Sequence, residues 1–146
     1  ISPCLDEPAA PRNLRVMPSL FTRIINGEIP SHRVYEDELT YAFLDINPRR
    51  DGHTLVVPRR QVDYLFDLPE EDYAAVWATC SRVATALKAA TGCRRVVVLV
   101  VGYEIAHAHV HLIPTNDLGD VPFPPVDVDA ATRLAATAER VRSVIG

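Results

Sequence analysis

The sequence predicts an α+β domain, an antiparallel sheet of about five strands with a long helix and shorter helices packed on it, and three observations point there. Two short extended runs, Val34 to Asp37 and Thr40 to Asp45, face each other across Glu38 as a hairpin. One long stretch between Pro69 and Gly92 repeats its apolar residues at helical spacing. A β-branched run, Val96 to Val101, is joined by a short turn to the strict alternation His107-Ala108-His109-Val110-His111-Leu112. Connections this short make neighbouring strands antiparallel.

In chain order, Ser19 to Asn26 reads as a short helix with Leu20, Phe21, Ile24 and Ile25 on one side and Gly27 ending it. Pro30 separates it from the hairpin. Asn47-Pro48-Arg49-Arg50-Asp51-Gly52 has turn chemistry throughout. His53 to Val57 then alternates, so that His53, Leu55 and Val57 share one strand face before Pro58. The long helix opens on Pro69 with Glu70, Glu71 and Asp72 in its first turn, and Gly92 closes it. Tyr73, Val76, Trp77, Cys80, Val83, Ala84 and Leu87 form its apolar face. Val96 to Val101 is continuous in β-branched residues and is expected to be covered on both faces. Gly102-Tyr103-Glu104 is the turn into the histidine run, and Pro114 is expected to end its pairing. After the connector "VPFPPVD", Leu134, Ala138, Val141 and Ile145 predict a closing helix that packs on the body.

Composition narrows the class. Of 146 residues, 48% are hydrophobic and 23% charged, which suits one core, assigned to residues 17–146. The net charge is −4 with signs interspersed, which argues against a nucleic-acid polymer as partner but not against a single nucleotide. Cys4, Cys80 and Cys93 are widely spaced and form no C-x-x-C pair, so a disulfide framework is not indicated and a reducing cytoplasm is the expected location. Cys80 is expected in the core. No run is long and apolar enough for a membrane span. Residues 1–16, "ISPCLDEPAAPRNLRV", hold three prolines and no apolar h-region, so they are expected to be a flexible extension preceding a natural start near Met17.

The segment "AHAHVHLIP" holds three of the five histidines. On a strand, His107, His109 and His111 project to one face and Ala108, Val110 and Leu112 to the other. Same-face Cα atoms lie about 7 Å apart, which makes the imidazoles neighbours in a row. Three readings compete. They are structural histidines; or two of them, with His53 or an acid, hold a metal; or a central nucleophilic imidazole is flanked by cationic or donating rings that bind an anion such as phosphate. The chemistry favours the third. A neutral imidazole attacks through one nitrogen when the other donates, most simply to a main-chain carbonyl that fixes the tautomer.

His107-Ala108-His109-Val110-His111-Leu112-Ile113 fits the pattern His-φ-His-φ-His-φ-φ and resembles the histidine triad (HIT) superfamily. "IINGEIPSHRVYEDE", "AFLDINP" and "GHTLVVPRR" resemble the family's first helix, hairpin strand and third strand in the same order. The likeness spans about residues 18–115 and is greatest to the bacterial histidine triad nucleotide-binding (Hint-like) branch. It implies that His109 is the nucleophile on the α-phosphorus of a nucleotide. His107 and His111 would orient it and contact phosphate oxygens, and His53 would be a fourth active-site histidine. Asp45 would bind the ribose hydroxyls, a role that suits a carboxylate because it accepts from two vicinal OH groups. Phe21, Ile24, Phe43, Ile46 and Leu55 would line the slot for the base. Without the resemblance, Phe21, Ile24, Phe43 and Leu55 read simply as core and Asp45 as a turn-initiating acid.

The implied activity is hydrolysis or transfer at the α-phosphate of nucleoside 5′-phosphoramidates or similar adenylylated compounds, through a nucleotidyl-histidine. A dinucleoside polyphosphate hydrolase and a non-hydrolytic nucleotide-binding regulator are the alternatives. The expected partner is a purine nucleotide or nucleoside phosphoramidate. The resemblance also implies a homodimer with a ten-stranded sheet, and no cofactor. Where many relatives hold a structural zinc with C-x-x-C and a further histidine, this chain has Ser19, Thr22 and Gln61, so no zinc is expected. The loop before the triad is shorter than in relatives and places Glu104 near the position of their hydroxyl residue. There it would contact the leaving group, or simply face solvent as a turn residue.

Overall fold

The computed structural model describes residues 17–121 and 123–146; the N-terminal segment 1–16 assigned above as an extension, with Cys4, lies outside them. Helix α1 spans Leu20–Ile25, and its N-cap Ser19 accepts from the Thr22 N–H at 3.0 Å. Strands β1 (Arg33–Glu36) and β2 (Thr40–Leu44) form the predicted hairpin. Its turn is set by Asp37, whose carboxylate accepts from the Leu39 and Thr40 N–H groups at 3.0 and 2.8 Å. Strand β3 is Thr54–Pro58, α2 is Glu70–Thr91, β4 is Arg95–Leu99 and β5 is Val110–Thr115. A short α3 (Val128–Ala131) precedes α4 (Leu134–Val144).

The five strands pair antiparallel in the order β1-β2-β3-β5-β4. One face of the sheet meets α2. Val76, Cys80, Val83 and Leu87 of the helix pack against Ala42, Val56, Val110 and Leu112, all buried. Burying such residues is worth about 1.5–3 kcal/mol per side chain, and this face is the main core. Gly92 takes φ 70° at the end of α2, a left-handed conformation that glycine adopts without a Cβ clash. Two buried threonines, Thr40 on β2 and Thr79 on α2, satisfy each other at 2.7 Å inside this layer. The opposite face carries a second cluster: Phe21 and Ile24 from α1 on Tyr41, Phe43, Leu55 and Val57.

Three expectations are corrected. Strand β4 ends the sheet instead of lying covered on both faces: Val98 is 45% and Val101 48% exposed. A β-branched run signals a strand, but whether its two faces are covered depends on what other elements pack on them. Pro114 does not end the pairing; it lies inside β5 opposite Val96. Pairing of β5 with β3 stops at Leu112, so at Pro114 the strand has one neighbour, and a residue without an N–H is tolerated there. Helix α4 forms but buries none of its residues, with Leu134 69% and Ile145 72% exposed, so it does not pack on the body. An amphipathic pattern says that a face needs a partner, not which one.

Candidate active site

Alternation along the histidine run partitions its side chains as the period of a strand requires. Ala108, Val110 and Leu112 enter the α2 core, while the imidazoles face the Phe21 cluster. Regular strand begins only at Val110, and His107 sits in a bend. Two backbone bonds pin that bend: His107 N–H to the Ile105 carbonyl at 2.8 Å and Ala108 N–H to the Val62 carbonyl at 2.7 Å. The edge of Phe21 meets the His109 ring at 4.9 Å and the His107 ring at 5.7 Å between centroids.

Carbonyls that can only accept fix the protons of His107 and His109, and a backbone N–H that can only donate fixes that of His53 and, through it, His111. The Pro58 carbonyl lies 2.7 Å from His107 Nε2, so Nε2 carries the hydrogen. His107 Nδ1 then accepts from the Ser19 hydroxyl at 2.6 Å. The His107 carbonyl lies 2.7 Å from His109 Nδ1, so that nitrogen donates. In the neutral ring the lone pair is therefore on His109 Nε2. The Arg49 backbone N–H donates to His53 Nδ1 at 3.0 Å, which puts the His53 hydrogen on Nε2. It points at His111 Nδ1, 2.9 Å away. His111 consequently carries its hydrogen on Nε2, free to donate to a ligand. His53 and His111, and His111 and His109, have ring centroids 5.1 Å apart in each pair. The sheet thus turns a row on one strand into a cluster by adding His53 from the start of β3.

The flanking rings are neutral donors rather than cations. Burial pushes His53 and His107 below the ordinary imidazole range. Burial, then the neighbouring His109 and His53 rings, pushes His111 down to about 4. His107 is fully buried with both ring nitrogens engaged, so it has no free donor for a phosphate oxygen. Of the two outer histidines, only His111 keeps a ring N–H without a partner among the described residues.

Asp45 closes β2 beside this cluster. Its Oδ1 accepts from the Asn47 N–H at 2.8 Å, the turn expected from the sequence, and its Oδ2 lies 3.7 Å from His53 Nε2. Asp45, His53 and His111 each bring one ligating atom within 4.8 Å of the others, a spacing that admits a cation. A cation there would have to displace the proton that His53 and His111 share. Phe21, Ile24, Phe43 and Leu55 are packed together and buried, whereas Ile46 stands 78% exposed beside Asp45. Glu104 is exposed in the bend before the triad and forms no hydrogen bond among the described residues. An apolar cavity of about 180 Å³, lined by Val97, Leu99, Ile113, Thr115, Val121 and Phe123, includes none of the histidines.

Four participants had no chemical signal in the sequence: the Pro58 and His107 carbonyls, the Arg49 N–H and the Ser19 hydroxyl. Backbone groups carry no residue-type signature. Ser19 was marked only as a replaced zinc position.

A five-stranded antiparallel sheet presenting three alternating histidines against a fourth defines a histidine-triad protein. The HIT domain family model matches residues 26–118, and the chain belongs to that family. The adenosine 5′-monophosphoramidase HNT1 of Saccharomyces cerevisiae is 36% identical over 99 residues, covering 67% of this chain and 63% of its own. A HIT family member from Bacillus subtilis superposes with a TM-score of 0.77 at 27% identity, covering 88% of this chain and 97% of that one. A zinc-bound histidine triad family protein from Mycobacterium smegmatis does so with 0.65 at 28% identity, covering 86% and 96%.

Proposed function

We propose that the protein hydrolyses nucleoside 5′-phosphoramidates or related adenylylated compounds, with His109 as nucleophile. The observation that carries this reading is the bond from His109 Nδ1–H to the His107 carbonyl, which leaves Nε2 as the attacking atom. Nε2 forms a bond to the α-phosphorus while the P–N bond breaks, and the amine leaves with the electron pair and takes up a proton. Water then attacks the nucleotidyl-histidine, releasing the nucleoside monophosphate and restoring the imidazole. His111 Nε2–H, held in place by His53, donates to a phosphate oxygen as charge builds on it. Asp45 takes the ribose hydroxyls, Ile46 and the Phe21–Phe43–Leu55 cluster meet the purine, and Glu104 reaches the leaving group if the bend closes on it. The name of the yeast relative supports this substrate class.

The working unit is a homodimer. Strand β4 is a sheet edge with Val98 exposed and is followed by exposed Val100 and Val101, and pairing two such edges makes a ten-stranded sheet. Trp77 keeps a buried Nε1 donor without a partner among the described residues, which a second copy can satisfy. No described helix is long and apolar enough to cross a membrane.

The test is incubation with adenosine 5′-phosphoramidate in EDTA, following AMP release and intact mass, with His109→Ala alongside. Turnover and an adduct of one nucleotidyl group in the wild type, both lost in the variant, are expected. Binding of AMP without turnover in the wild type would refute hydrolysis and leave a nucleotide-binding regulator.

A further inference from the structure

By the resemblance, Ser19, Thr22 and Gln61 stand where zinc-holding relatives carry their extra ligands; the structure sets Ser19 and Thr22 against His107 Nδ1, at 2.6 and 3.4 Å, with Gln61 behind them. The donor set does not fit zinc. Two hydroxyls and an amide carbonyl replace the thiolates and imidazole that the ion selects, and only His107 remains as an ordinary ligand. Two of the contacts also have hydrogen-bond lengths, although Ser19 Oγ–Thr22 Oγ1 and Thr22 Oγ1–His107 Nδ1 stand 3.2 and 3.4 Å apart. Ser19 Oγ is 2.6 Å from His107 Nδ1 and Thr22 Oγ1 is 2.8 Å from Gln61 Oε1. Ligand atoms on a tetrahedral zinc, at bonds of about 2.0 Å, stand roughly 3.3 Å apart.

What fills the space is a hydrogen-bond network in which every donor has an acceptor. The Ser19 hydroxyl donates to His107 Nδ1 while accepting from the Thr22 N–H. Thr22 O–H and Ser19 N–H both donate to Gln61 Oε1, at 2.8 and 2.7 Å. Gln61 Nε2 in turn donates to the Met17 carbonyl at 2.9 Å. Opposite Ser19, His107 Nε2–H is held by the Pro58 carbonyl, so the ring is gripped at both nitrogens. The backbone of that same residue supplies the carbonyl that sets the His109 tautomer.

We infer that Ser19, Thr22 and Gln61 form a hydroxyl–amide clasp that does the positioning work a metal does in zinc-holding relatives. Through His107 it holds the carbonyl that orients His109 and docks α1, with Phe21, against the triad. These are positioning residues: none of them touches the reacting atoms. The effect on turnover rests on the nucleophilic role proposed for His109, whereas the effect on ring tautomers does not.

The test is long-range ¹H–¹⁵N correlation of histidine-labelled protein, with kcat and KM for adenosine 5′-phosphoramidate measured in parallel. The wild type is expected to show His107 as the Nε2–H tautomer and His109 as the Nδ1–H tautomer, unchanged by added Zn²⁺. In Ser19→Ala the His107 Nδ1 resonance moves toward that of a free acceptor, and His109 becomes a tautomer mixture. There kcat falls about tenfold with KM held within about twofold, as expected for a misaligned nucleophile. Ser19→Thr restores both readouts. Thr22→Val, close in shape, gives the same direction with a smaller change and stands in if Ser19→Ala does not fold. Unchanged His109 tautomers in a folded Ser19→Ala protein would overturn the inference, as would a stoichiometric Zn²⁺ shift of the wild-type His107 signals. Shifted tautomers in a wild type-derived series that never turns over would leave the clasp standing and remove the phosphoramidase reading instead.

Discussion

Acidification should destabilise this fold in a window that belongs to the histidines. His111 titrates at about 4 in the folded chain, against an ordinary 6.5, because burial and its imidazole neighbours disfavour the charged ring. Between those two values the unfolded chain binds more protons than the folded one. Stability therefore falls as pH drops below 6.5 and levels off near 4. At about 1.4 kcal/mol per unit, the gap sets a ceiling of about 3 kcal/mol lost by pH 4 from His111, and because solvent reaches part of the ring the expected loss is about 1–2 kcal/mol. His53 and His107 are shifted in the same direction and deepen the loss. Asp37 and Asp120 are held below 3.8 by hydrogen bonds, so their contributions disappear at lower pH and do not blur the window. Urea unfolding at a series of pH values measures this directly, with His111→Asn as reference. A wild-type stability that stays flat between pH 6.5 and 4 would refute the neutral, buried cluster. So would an identical slope in His111→Asn. At neutral pH it is the bond from His53 that puts the hydrogen of the neutral His111 ring on Nε2.

Other outcomes follow from single positions. Asp45→Asn should weaken AMP binding about tenfold while leaving a 2′,3′-dideoxy analogue unaffected, read by calorimetry; equal loss for both would remove the ribose from Asp45. Leu112→Ala, at a fully buried position between α2 and the sheet, should cost about 2–5 kcal/mol in urea unfolding; a loss under about 1 kcal/mol would mean the site collapses around the gap. Gly52→Ala should cost about 1–3 kcal/mol, since φ is +88° and the new Cβ would stand 3.1 Å from Pro114 Cγ and Thr91 Cγ2; an unchanged Tm would show that this turn relaxes freely.

Much of this protein was legible in its sequence. The hairpin around Glu38, the helix between Pro69 and Gly92 and the alternating histidine run each repeat with the period of their element, and period survives whatever the element packs against. The single-face projection of the histidines and the core role of Ala108, Val110 and Leu112 follow from the same rule. Motif order was enough to place the chain in its family.

Tertiary structure decided the rest, because it depends on neighbours rather than on local pattern. Strand order left β4 at the edge and let Pro114 into β5, and α4 buries none of its residues. Most of the site's chemistry is of this kind. A histidine announces that an imidazole is present, but its proton goes where a carbonyl 49 residues away in sequence, another imidazole 58 away, or a serine 88 away, is folded against it. The three shifted rings are neutral because the fold buries them, His109 aims Nε2 because the His107 carbonyl holds the other nitrogen, and Ser19 matters because α1 docks there. Residue type and spacing determined which groups this protein has to work with. Burial and hydrogen bonding in the folded chain determined which ring nitrogen of each carries the hydrogen and which keeps the lone pair.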